Sequence, residues 1–153
     1  MIQGKYLLAG VHDLTDVFAI REEVFGKEQD FAEAVGPDEE DAAAIFALAF
    51  EQGVPIATGR LLFLGDAFRI GRIAVRKDYR GKKYGDFIVR MLVDKAFSMG
   101  AKEVLVGSQK QAIPFYEKIG FAETGKYYLE GNREHYWMKI APTTCCRACQ
   151  KQK

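Results

Sequence analysis

Arg72-Ile73-Ala74-Val75-Arg76-Lys77-Asp78-Tyr79-Arg80-Gly81-Lys82-Lys83-Tyr84-Gly85 is the stretch on which the fold turns. An apolar strand pattern, Phe68 to Val75, runs into a basic, glycine-containing turn, and the turn opens a helix. That helix is predicted over Gly85 to Met99, with Ile88, Met91, Leu92, Ala96 and Met99 on one face and Gly100 as its C-cap. The first turn of a helix has backbone N–H groups without intrahelical partners, and the macrodipole adds positive potential there. A diphosphate is the natural ligand for such a place. Gly81 and Gly85 clear side chains from where the backbone must approach phosphate oxygens, and Arg80, Lys82 and Lys83 add formal charge.

Outward from this loop the chain reads as alternating strands and helices. Upstream, Ala44 to Glu51, Ile56 to Leu64 and Phe68 to Val75 form a meander, punctuated by the turn signals Gln52-Gly53 and Gly65-Asp66. Before it come a short strand, Tyr6 to Val11, and a helix capped by Asp13, whose apolar stripe (Leu14, Val17, Phe18, Val24, Phe25) ends at about Phe25. Residues 26–41 lose periodicity and carry the acidic run Asp38 to Asp41, expected to be a solvated loop face. Downstream, Val104 to Ser108 is an apolar strand suited to a sheet centre, and Ala112 to Ile119 a short helix with Pro114 in its first turn. Phe121 to Glu130 and Arg133 to Ile140 are strands joined at Gly131-Asn132. The central strand–helix–strand unit demands one parallel pairing inside a mostly antiparallel sheet, an α/β (α+β) chain of about seven strands and about four helices.

Composition narrows the partners. The 153 residues suit one domain, and 48% of them are hydrophobic, enough for one sizeable core. Lys and Arg number 22 against 21 Asp and Glu, and a net charge of +1 argues against nucleic acid or an anionic membrane as the main partner. No apolar run approaches the roughly 18 residues that span a bilayer. Met1 to Gly10 has no secretory pattern, so a cytoplasmic protein is expected. Cys145, Cys146 and Cys149 lie in the last nine residues. They exclude a disulfide-built core, and three thiols without a neighbouring histidine fall short of a structural zinc site, so no metal is expected. The domain is placed at residues 1–141, with a disordered tail over 142–153.

A second segment joins the first. AIPFYEKIGF (112–121) follows an apolar strand and puts a tyrosine on a short helix before Gly-Phe. Together with RIAVRKDYRGKKYG (72–85), in that order and with one helix and one strand between, it resembles the two signature segments of the GNAT N-acetyltransferase superfamily. REEVFGKEQ (21–29) and REHYWMKI (133–140) resemble a subgroup of small bacterial acetyltransferases within it. The resemblance covers Asp13 to Ile140. The family's loop has a glycine where this chain has Lys83; positive φ would strain a lysine there, so an altered loop geometry is expected around it.

The resemblance implies a GNAT fold whose central sheet splits into a V, with acetyl-CoA as co-substrate. It would place the pantetheine arm on the backbone of Ile73, Ala74 and Val75 and the pyrophosphate on Arg80, Gly81, Lys82, Lys83, Tyr84 and Gly85. Tyr116 would be the general acid near the cofactor sulfur, and Arg72 and Gln109 would project toward the acceptor, a small-molecule or peptide amine. Neither Arg72 to Val75 nor Val104 to Val106 offers a carboxylate, so the base is sought in Glu28 or His135, with a water chain as the alternative. A homodimer is compatible with the resemblance. A coenzyme A-binding module without turnover is the competing function.

Overall fold

The computed structural model describes residues 2–65 and 67–142. The expected tail with its three cysteines therefore lies outside the described residues, apart from Pro142. Seven strands form one sheet in the order β1-β2-β3-β4-β5-β7-β6: β1 (Ile2–Leu8), β2 (Ile45–Glu51), β3 (Val54–Leu64), β4 (Ala67–Val75), β5 (Val104–Gln109), β6 (Ala122–Glu130) and β7 (Arg133–Ile140). All neighbours are antiparallel except β4 and β5. The crossover that makes this one parallel pair carries α2 (Tyr84–Ser98), as the strand–helix–strand reading requires. Helix α1 (Thr15–Arg21) precedes the meander, and α3 (Ile113–Ile119) follows β5.

Both faces of the sheet are covered, and the sequence pattern follows from that. In β2, Ala47 and Ala49 face the α2 side with Ile56, Leu61, Ile88, Leu92 and Val104, while Phe46 and Leu48 face the α1 side with Val17, Ile20 and Val24. A strand buried on both faces reads as a continuous apolar run, which is why Ile45 to Phe50 shows no alternation. Each fully buried Leu or Ile on α2 contributes about 1.5–3 kcal/mol. Two of the three turn signals hold among the described residues; the third, Gly65-Asp66, includes Asp66, which lies outside them. Gln52 and Gly53 (φ 51° and 81°) and Gly131 and Asn132 (φ 59° and 62°) are left-handed pairs, as tight hairpins of this twist require.

The N-terminal third departs from the sequence reading. β1 begins at Ile2 rather than Tyr6 and ends at Leu8, pairing along the whole of β2 from Ile2↔Glu51 to Leu8↔Ile45. As an edge strand with mostly exposed side chains it has no alternation to announce it. His12 closes its end, its Nδ1 accepting from the Leu8 N–H at 3.0 Å. Asp13 sits one residue before the cap and accepts from the Thr15 N–H at 2.9 Å. The first helix does not stop at Phe25. It widens into a π-helical segment, Glu22–Glu28, closed by the Gln29 N–H donating to Val24 O at 3.1 Å.

The acidic run is the largest departure. It is a 3₁₀ turn, Glu39–Ala43, fixed by a reciprocal cap between Asp38 and Asp41. Arg21, fully buried against the rings of Phe18 and Phe46, donates two bonds to Asp41 (2.9 and 3.1 Å), and Arg60 donates to Asp41, Asp38 and Glu40. These carboxylates are therefore not a solvated face but counter-ions that let two arginines enter the core. Burial alone would raise the Asp41 carboxyl; the bonds from Arg21, the Asp38 amide and Arg60 outweigh it and bring it down to about 2.

A depressed folded-state value contributes stability above the unfolded value of about 3.9 that is lost as pH falls toward 2. Urea unfolding midpoints should therefore drop between pH 4 and 2. At pH 7, Asp41→Asn, which leaves two buried guanidinium groups short of a counter-ion, should cost about 3–5 kcal/mol. A midpoint insensitive to that substitution would show that the pair does not anchor the turn.

Candidate active site

The site is organised by a failure of pairing. β4 and β5 are bonded only at Phe68↔Val104, Arg69↔Leu105 and Ile70↔Val106. Beyond Ile70 they part, although β4 continues to Val75 and β5 to Gln109. A β-bulge in β4 sits at the parting. Its register against β3 shifts between Thr58↔Ala74 and Arg60↔Gly71, so that Gly59 faces both Arg72 and Ile73. Arg72 takes φ 53°, a left-handed conformation that costs a non-glycine residue on the order of 1 kcal/mol or more. The bulge turns the end of β4 away from β5, and the main-chain groups facing the gap are left without a strand partner.

One end of the gap opens on the loop before α2. A cavity of about 650 Å³ is lined there by Val75, Tyr79, Arg80, Gly81, Lys83, Tyr84, Gly85, Asp86, Arg90, Phe115 and Lys118. The backbone N–H groups of residues 81–86 donate to no acceptor among the described residues. Lys83 takes φ 69°, ψ 20°. The expectation of an altered geometry is thus corrected: the lysine adopts the left-handed conformation a glycine would hold, and bears its strain. Tyr84 is tied by its hydroxyl to Glu51, and this bond first, then burial, raises its phenol to about 12. The Lys82 ammonium lies 5.6 Å from the Tyr79 ring centroid. Ala74 points its methyl into the core beneath α1, leaving only its backbone for the gap.

The other end opens on a polar cavity of about 280 Å³. Arg72, Ile73, Gln109, Tyr116 and His135, all singled out from the sequence, line it together. Tyr116 is caged by Phe115 and Phe121 at ring distances of 4.9 and 5.6 Å, and its hydroxyl has no hydrogen-bond partner among the described residues. Burial, and then the neighbouring Tyr128, push its phenol well above the ordinary value. His135 stacks on Tyr128 (5.0 Å, 17°), with Nδ1 3.1 Å from Arg133 O. Gln109 donates to Gln29 at 3.4 Å.

Glu28 is not with them. Its carboxylate is clasped by the guanidinium of Arg80, Nη2 donating to Oε1 at 2.6 Å and Nη1 to Oε2. That bond holds the Glu28 carboxyl below its usual range, the opposite of what a base needs. The same pair turns Arg80 toward Glu28 and toward Val75 O, which it meets at 3.0 Å.

Several lining residues were not found from the sequence. Tyr128 and Glu130 come from β6, Arg60 from β3 and Arg69 from β4, while Glu40, in the acidic run already noted, joins them from the 3₁₀ turn. Glu130 receives two bonds from Arg72, both at 3.1 Å. Burial raises its carboxyl, but Arg72 outweighs that and leaves it lowered. Gly107 carries a signal that could have been read. A side chain there would collide with the Tyr128 hydroxyl, so the glycine in an otherwise apolar strand marks a close approach. Arg90 and Lys118 border the larger cavity from α2 and α3 with nothing in their local pattern to mark them.

The comparisons with known proteins agree with this geometry. The profile of the Acetyltransferase (GNAT) family matches residues 11–121. The uncharacterized N-acetyltransferase YjcF of Bacillus subtilis is 31% identical over 126 residues, covering 82% of this chain and 90% of that protein. An acyl-CoA N-acyltransferase from Pseudomonas aeruginosa superposes with a TM-score of 0.81 at 23% identity, over 92% of this chain and 100% of that one. The PaiA N-acetyltransferase from Thermoplasma acidophilum, solved in complex with coenzyme A, gives 0.68 at 16% identity over 92% and 99%. The family profile over residues 11–121 and the 31% identical relative covering 82% of the chain decide the family, and the superposed structures have the same fold: the chain belongs to the GNAT acetyltransferase family.

Proposed function

We propose that this acetyltransferase moves the acetyl group of acetyl-CoA to a primary amine of a small molecule or peptide by direct attack. The observation that carries the reading is the open gap between β4 and β5. It joins the unpartnered N–H groups of residues 81–86 at one end to a cavity holding Tyr116 and His135 at the other.

The residues present fit the co-substrate. The amides of Gly81 to Gly85 form a concave donor set at the opening of α2, and Lys83, Arg80, Arg90 and Lys118 ring it with positive charge. Arg80 would leave Glu28 to meet a phosphate. Backbone groups of Ile73 to Val75 that face the gap can pair with the amides of the pantetheine arm. Bound there, acetyl-CoA supplies an activated acyl carbon and a thiolate leaving group.

The chain's own groups then handle protons. Tyr116 stays fully protonated across the physiological range because its phenol is raised. It is always loaded as a donor, but its proton moves uphill to a thiolate whose conjugate acid lies near 8.5, so its contribution should fall at the low end of general-acid catalysis. His135 is the base. The bond from Nδ1 to Arg133 O requires the proton on Nδ1, which leaves the Nε2 lone pair free to take a proton from the amine.

Release of free thiol across a panel of amines tests the whole. Coenzyme A binding without turnover of any amine would leave a cofactor-binding module instead. Gly85→Leu, at a position whose added Cβ would lie 3.4 Å from Phe115, should lower coenzyme A affinity at least tenfold by calorimetry; unchanged affinity would show that the loop is not the phosphate site. Tyr116→Phe should cut kcat roughly 10²-fold with little change in coenzyme A affinity, and equal turnover would remove it as the acid. His135→Gln should lower kcat with little change in coenzyme A affinity; an unchanged kcat would return the base to a water chain.

A further inference from the structure

The cavity on the acceptor side is rich in opposed charge. Arg60, Arg69 and Arg72 line it with Glu40 and Glu130, and Asp38, Asp41 and Arg21 stand behind them. Arg60 is spent: it holds Asp38, Asp41 and Glu40 and is buried, with only its Nε unpartnered. Arg72 gives both terminal nitrogens to Glu130. Arg69 differs. It makes one hydrogen bond, Nη2 to Glu40 at 2.6 Å, and its other two nitrogens have no partner among the described residues. Its side chain is 26% exposed, and the Trp137 ring lies 6.0 Å from the guanidinium carbon.

Resting on the acetyltransferase reading above, we propose that the acceptor is a zwitterion of amino-acid size, whose carboxylate is gripped by Arg69 and whose amine docks at Glu130.

Nη2 gives Glu40 one of its two hydrogens, and the other, with the unpartnered Nη1 or Nε beside it, presents the parallel fork that a planar carboxylate takes. Glu130 keeps accepting capacity on both oxygens beyond the bonds from Arg72, and it remains charged under that arginine. Arg72 lies at the bulge where the sheet splits, so an amine on Glu130 stands beside the gap, within reach of His135. Arg69 and Glu130 line the same small cavity, so a single small zwitterion can meet both. The cavity, about 280 Å³, is smaller than the roughly 300–1,000 Å³ of sites for drug-sized ligands. A polyamine would bring a second cation against three arginines.

The test compares each of several free amino acids (glycine, L-alanine, L-phenylalanine, L-glutamate) with its carboxamide, and with putrescine and spermidine, under saturating acetyl-CoA. The amide has the less basic amine, so more of it is neutral at pH 8 and chemistry alone favours the amide. The proposal expects at least one free acid to exceed its amide tenfold or more in kcat/KM. It also expects Arg69→Gln to collapse that ratio toward one, and Arg69→Lys, which keeps the charge without the fork, to leave an intermediate ratio. Ratios below tenfold throughout, or a preference for polyamines, overturn it. If no amine of any kind is turned over, the acetyl-transfer reading fails. The inference is then decided by calorimetry of the N-acetyl amino acids against their amides in the presence of coenzyme A. Tighter binding of the acids upholds the carboxylate subsite, and equal or absent binding ends it.

Discussion

Three hydrogen-bonded positions between β4 and β5, and then none, are the constraint from which the rest of this molecule follows. A parallel pair at the centre of a sheet would ordinarily bond along its length. Here an extra residue in β4 swings the end of that strand away, and the strain is held by Arg72 in a left-handed conformation. The strand is kept in this bent state by β3 on its other side, where pairing resumes at Thr58↔Ala74 and Ala57↔Val75. The gap is therefore built into a rigid sheet rather than left to a loop, and it places a row of unused main-chain groups between two cavities.

Charge is organised around the same bulge. Arg21, Arg60, Arg69 and Arg72 meet Asp38, Glu40, Asp41 and Glu130, four positive charges against four negative, in one connected network that reaches from the core beneath α1 to the polar cavity. Buried ion pairs rarely add net stability over apolar packing, but removing one partner from such a set is costly. The network's physical effect is to pin the turn 39–43 and the β6–β7 hairpin onto the bulge. Glu130, at the hairpin's end, and Asp38, at the turn's cap, both reach Arg72.

The two ends of the site use different physics. At the end before α2 the groups facing the cavity are main-chain amides, and side chains matter chiefly by being absent or by adopting φ > 0, as Lys83 does. At the other, polar end the groups are side chains from β3, β4, β5, β6, β7 and the 3₁₀ turn. Helix α3 stands between them and serves both, Phe115 facing one cavity and Tyr116 the other.

Whatever depends on neighbours close along the chain could be read from the sequence: the strand-to-helix loop at 72–85, the two-residue hairpin turns, the tyrosine helix at 113–119, and the parallel crossover they imply. Tyr116, Arg72 and Gln109, singled out through the family resemblance, and His135, sought where the strands beside the gap lack a carboxylate, line one cavity. Only the tertiary structure decided the rest. Glu28 looked like a free carboxylate until Arg80, 52 residues away, was seen to hold it. The acidic run looked solvated until Arg21 and Arg60 were brought beneath it. The charge state and availability of a side chain are set by what the fold packs against it. Those partners lie on other strands, at separations that no local periodicity records.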